Sequence, residues 1–141
     1  MPLHRKRVEQ AGGAVLVPVA PGELVDKITI LELKSERLGE PDKLEHVRRE
    51  LRLLTTARDG AIPTSPALSD LTAHLRAVNA ALWQIEDELR ACEQARDFGA
   101  RFITLARSVY QHNDERAALK GRINRLLGAA FCEQKSYGAG S

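Results

Sequence analysis

Apolar residues recur at alternating three- and four-residue spacing along most of this chain. The longest run is Leu68, Leu71, Leu75, Val78, Leu82, Ile85, Leu89 and Cys92. Such spacing places one apolar stripe on a single helix face and requires a partner helix to cover it. At about 1.5 Å per residue the stripe is roughly 36 Å long, more than one short helix can bury. The pattern predicts an all-α fold, an antiparallel helical bundle or coiled-coil hairpin built around one long helix over about 67–95.

The flanking patterns supply the remaining helices. Pro21-Gly22-Glu23 opens a first helix, with acidic charge where the helix dipole favours it, and the helix runs to about Leu38. Leu24, Ile28, Leu31 and Leu38 form one face and Val25, Ile30 and Leu33 a second, so this helix is expected to be covered on two sides. After a Gly39-Glu40-Pro41-Asp42 turn, a second helix to about Arg58 carries Leu44, Val47, Leu51 and Leu54. A loop from Gly60 to Pro66 lets the long helix fold back on it. Antiparallel pairing would then set Leu51 near Leu75 and Leu44 near Leu82. That leaves Ile85, Leu89 and Cys92 to be covered by Phe98, Phe102, Leu105 and Val109, beyond the Asp97-Phe98-Gly99 break.

Carried on, the same phase reaches His112 and Arg116 before returning to Leu119, Ile123 and Leu126. Either a continuous helix turns two polar residues inward, or it breaks at Gln111-His112 with Asn113 capping a new helix. Gly128 fits a C-cap. Ala14 to Val19 is an apolar extended segment in which Pro18 argues against a central strand. It should lie on the bundle or pair with a copy of itself. The division expected is a disordered basic arm over 1–13, one helical domain over 14–137 and a flexible tail over 138–141.

Composition narrows the function classes. Lys and Arg total 21 against 19 acidic residues, a net charge of +2, too small to imply nucleic acid or an anionic membrane. Basic density is confined to His4-Arg5-Lys6-Arg7, which reads as a solvated arm and makes nucleic-acid binding a distant alternative. No stretch approaches the ~20 apolar residues of a membrane span. Cys92 and Cys132 lack any C-x-x-C partner, which suits a reducing, cytoplasmic compartment. The histidines at 4, 46, 74 and 112 share no ligand spacing, so neither metal nor cofactor is expected. Arg48, Arg49 and Arg52 read as a solvated face paired with acids such as Glu45 or Glu88.

The sharpest polar pattern lies beside the long apolar stripe. Asn79, Trp83, Glu86, Arg90 and Glu93 follow at 4-3-4-3 spacing. Antiparallel register sets Arg107 opposite Glu86, Tyr110 opposite Trp83 and Asn113 opposite Asn79, with Arg116 and Lys120 one and two turns beyond. An aromatic wall with arginines and amides suits a small anionic ligand, since Arg bonds carboxylate or phosphate bidentately and rings exclude water. Polar residues at a seam edge also pair with each other to fix register. On that alternative Glu86 with Arg107 is a lock.

Four motifs extend the picture: Gly22-Glu23-Leu24-Val25-Asp26-Lys27-Ile28-Thr29-Ile30-Leu31-Glu32, Leu82-Trp83-Gln84-Ile85-Glu86-Asp87, Leu105-Ala106-Arg107-Ser108-Val109-Tyr110 with Asn113-Asp114 and Arg116-Ala117, and Glu133-Gln134-Lys135-Ser136-Tyr137. Together they resemble an uncharacterised bacterial family, a domain of unknown function, over about Leu16 to Tyr137. The resemblance implies an accessory role, since such members look like small stand-alone proteins or domains appended to larger bacterial proteins of repeat or sugar-transferring type. It also runs through Trp83, Glu86, Arg107, Tyr110, Asn113, Asp114 and Arg116. Two functions are therefore expected. One is a non-enzymatic interaction or accessory module, homodimeric because the two-faced first helix and the lone extended segment ask for a second copy, and open to a protein partner. The other is a small anionic-ligand binder or enzyme using the polar cluster.

Overall fold

A computed structural model describes residues 13–128. The described residues form four helices: α1, Pro21–Arg37; α2, Pro41–Ala61; α3, Pro66–Gln94; and α4, Ala100–Leu126. The all-α bundle expected from the periodicity is the architecture, with the long helix where the apolar stripe placed it. The expected basic arm up to residue 12, Cys132, the last family-like motif and the tail lie outside the described residues.

Helix starts follow local chemistry. α1, α2 and α3 each open on proline, whose missing N–H costs nothing in a first turn. Ser65 caps α3, its Oγ accepting from the Leu68 N–H at 3.1 Å. α1 has no side-chain cap of its own. Instead its Gly22 N–H donates to Asn124 Oδ1 of α4 at 2.7 Å. Only glycine permits that approach, because a Cβ at residue 22 would lie 2.4 Å from the Lys120 carbonyl oxygen.

α3 and α4 form the antiparallel hairpin, and Leu75, Val78, Leu82, Leu119 and Ile123 build the core with Val25 of α1. Cys92 and Ile85 are buried where the first half of α4 folds back over α3.

The layering differs from the expected pairing of the second helix with the third. α2 packs on α1 alone, and α1 packs on both α3 and α4. Leu51 and Leu44 therefore do not meet Leu75 and Leu82. The reason lies in α1, which has apolar residues on two faces and needs cover on both. The stripe of α2 covers one face and the α3/α4 seam the other. α2 consequently has no buried residue. The two faces of α1 are satisfied within one chain, so they give no motive for a second copy. Residues 14–20 adopt no regular secondary structure, and Val15 and Val17 are exposed. Arg49 and Arg52 lie near Glu45, at 4.0 and 3.9 Å, whereas Glu88 pairs with Arg101 across the hairpin at 3.3 Å.

α4 is continuous through the doubtful region. His112 is accommodated by bonding back to its own helix, Nδ1 to the Ser108 carbonyl oxygen at 2.8 Å. Arg116 is accommodated by a partner on α1.

Candidate functional site

That partner is Asp26, whose residue is 1% exposed. Arg116 Nε donates to Asp26 Oδ1 at 2.9 Å and Nη2 to Oδ2 at 2.5 Å, the bidentate geometry in which Arg and carboxylate bind best. Asn79 of α3 donates through Nδ2 to Asp26 Oδ1 and to Thr29 Oγ1, both at 2.9 Å. Thr29 Oγ1 in turn donates to the Asp26 carbonyl oxygen at 2.7 Å. Asp26 thus joins three helices, and no buried side-chain nitrogen or oxygen among the described residues is left without a partner.

Two complementary stripes produce this contact. α1 presents Gly22, Asp26 and Thr29 at 4-3 spacing, and α4 presents Asn113, Arg116, Lys120 and Asn124 at 3-4-4 spacing. Run antiparallel, they pair Gly22 with Asn124, Glu23 with Lys120 (2.7 Å) and Asp26 with Arg116. Further along α1, Arg76 of α3 reaches Glu36 at 2.6 Å and Glu32 at 3.4 Å. The Glu36 hydrogen bond, aided by both carboxylate charges, raises the Arg76 guanidinium above its ordinary pKa.

Above the Asp26 contact, a groove of about 330 Å³ opens between α1, α3 and α4. Ile30, Leu33, Leu82 and Trp83 supply its apolar surface, and Lys34, Arg90, Arg116, Asn79, Asn113 and Glu86 its polar groups. The Arg37 guanidinium stands 5.6 Å from the Trp83 ring centroid, a cation–π distance. With Arg116 balanced by Asp26, Lys34 and Arg90 against Glu86 leave the lining net positive.

Six of the sequence-predicted residues meet here: Asn79, Trp83, Glu86, Arg90, Asn113 and Arg116. Four do not. Arg107 lies nine residues, about two and a half turns, from Arg116 and so points the opposite way. It donates to the Tyr110 hydroxyl at 3.4 Å, and Tyr110 is 54% exposed. Asp114 is likewise exposed, on the side of α4 away from Arg116. Lys120 shares the Arg116 face but is engaged by Glu23 beyond the groove. The proposed Glu86–Arg107 lock does not form, and Glu86 is 3.9 Å from Arg90 of its own helix. The α1 contribution was missed altogether. Its signal was present in Asp26 and Thr29, two polar residues sharing a stripe with Gly22 and Leu33.

Among the described residues no three His, Cys, Asp or Glu side chains come together as a metal site, and no helix is long and apolar enough to cross a membrane. No curated protein and no solved structure matches the chain. One family does, over residues 15–140, a span that takes in every element of the Asp26 contact and the groove. The chain belongs to the family of unknown function DUF6165.

Proposed function

We propose that this protein is a non-enzymatic binding module, an accessory component of a bacterial cytoplasmic system, that holds a small anionic molecule in the groove between α1, α3 and α4. The observation that carries this reading is the fixed guanidinium of Arg116. Asp26 orients it from below, with Trp83 and Lys34 alongside. A recognition group held by a buried partner loses little side-chain freedom on binding, which favours affinity. The groove volume lies at the small end of the range for ligand sites. The chemistry fits a carboxylate or phosphate attached to an apolar or planar body. Glu86 is exposed and lies near Arg90, which suits orientation of a ligand more than proton transfer. The buried free thiol of Cys92 agrees with a reducing compartment.

Trp83 is the single tryptophan of the chain, so its fluorescence reports directly on the groove. Titration with inorganic phosphate, benzoate, nucleotides and sugar nucleotides should give a saturable change with at least one class. A ligand at 100 times its dissociation constant adds about 2.7 kcal/mol and should raise the melting midpoint by several degrees. The Lys34→Ala, Arg90→Ala double variant should weaken that binding about tenfold or more, a loss of roughly 1.4 kcal/mol, without changing helicity. A flat response to every class overturns the reading.

A further inference from the structure

Three cations line the groove, and they are not equally committed. Asp26 holds Arg116 in a bidentate pair. Arg90 is held on its own helix by Asp87, at 3.0 Å. Lys34, half-buried on α1, has no acidic partner among the described residues. Glu86 is the acid of the lining. Its one ion pair among the described residues is the contact with Arg90 at 3.9 Å, longer than a hydrogen bond. Lys34 and Glu86 thus border one cavity from α1 and α3 without closing on each other. A molecule entering between them meets both signs of charge.

The rest of the lining on these two helices is apolar, Ile30 and Leu33 on α1 and Leu82 and Trp83 on α3. On each helix the charge follows an apolar residue by one turn, Lys34 after Ile30 and Glu86 after Leu82. A ligand that brings only negative charge sets it across from Glu86, where like charges repel. A phosphate monoester, with about two negative charges near neutral pH, suffers more than a carboxylate. An ammonium on the same molecule turns Glu86 from an opponent into a partner. We infer that the ligand is an amino carboxylate with an apolar side chain, a free amino acid of the phenylalanine or leucine type. Its carboxylate lies with Lys34 and Arg116, its ammonium against Glu86, and its side chain on the apolar lining. The inference rests on the anion-binding reading of the groove and specifies the molecule that carries the anion.

Trp83 fluorescence of the full chain with matched probes tests it. Phenylalanine is set against hydrocinnamate, which lacks the amine, and phenethylamine, which lacks the carboxylate. Leucine, isocaproate and isoamylamine form a second set. At least one amino acid should bind about fivefold more tightly than either analogue, the upper range for an exposed ion pair. Glu86→Gln should weaken that amino acid severalfold and tighten the matching acid, whereas Lys34→Met should weaken both. Loss of folding cannot produce opposite shifts for two ligands in one variant. Hydrocinnamate, isocaproate, benzoate or phosphate binding as tightly as the amino acids, or in their place, overturns the inference and leaves the anion-binding reading standing. An amino-acid affinity that Glu86→Gln leaves unchanged does the same. An amine that binds as tightly as its amino acid also overturns the inference, because the carboxylate then contributes nothing. A flat response to every probe, phosphate and benzoate included, overturns both.

Discussion

At the scale of single residues, Asp26 ties three helices together through one carboxylate. Its carboxylate is enclosed, and its one full counter-charge is the Arg116 guanidinium, whose side chain is 29% exposed. Removing one partner of such a pair leaves the other uncompensated, whereas replacing both with apolar groups is far milder. Asp26→Ala should therefore cost about 3 kcal/mol in denaturant unfolding, and Asp26→Leu with Arg116→Met should recover much of that loss. Gly22→Ala should cost about 1–3 kcal/mol by the same measurement, because its methyl group meets backbone that cannot rotate aside. Arg116 was readable from sequence since it interrupts an apolar phase. Asp26 was harder to see because it is one of four acids on a helix with apolar residues on two faces, and their spacing did not single it out.

At the scale of elements, periodicity located the helices and left their neighbours undetermined. An amphipathic stripe states that a face is covered and says nothing of which helix covers it. This is why α2 was expected on α3 and lies on α1 instead. The layering has a measurable signature. Leu75→Ala, at 0% exposure, should cost about 3 kcal/mol, and Leu51→Ala on the half-covered stripe of α2 about 1 kcal/mol. Amide exchange should correspondingly be faster in α2 than in α3. The continuity of α4 was open for a different reason, since it depends on where His112 and Arg116 find partners, and neither partner is set by periodicity. The α3–α4 connection passes through Arg96 at a φ of 54°, a left-handed conformation that costs a residue with a Cβ about 1–2 kcal/mol. Arg96→Gly should raise the unfolding midpoint by relieving part of that cost.

At the scale of the whole molecule, the fold class was readable throughout and the groove only on two of its three walls. α3 and α4 declared their shares through Trp83, Glu86, Arg90 and Arg116. α1 did not, because Ile30, Leu33 and Lys34 look like ordinary core and solvent positions until the helix is placed. The cap that Asn124 provides for Gly22 has a consequence in time. The two residues are 102 positions apart, and Asp26 and Arg116 are 90 apart. On the ribosome α1 emerges first of the four, and both the group that caps it and the cation that neutralises its acid follow by 90 residues or more. The α3/α4 hairpin, whose contacts are local, can form first and offer a surface on which α1 closes late. Contacts made after the folding barrier slow unfolding without hastening folding. In stopped-flow experiments Asp26→Ala and Gly22→Ala should thus accelerate unfolding and leave the refolding rate nearly unchanged. Leu75→Ala should slow refolding. On this order of events α1, made before the other three helices described, is the last to be secured.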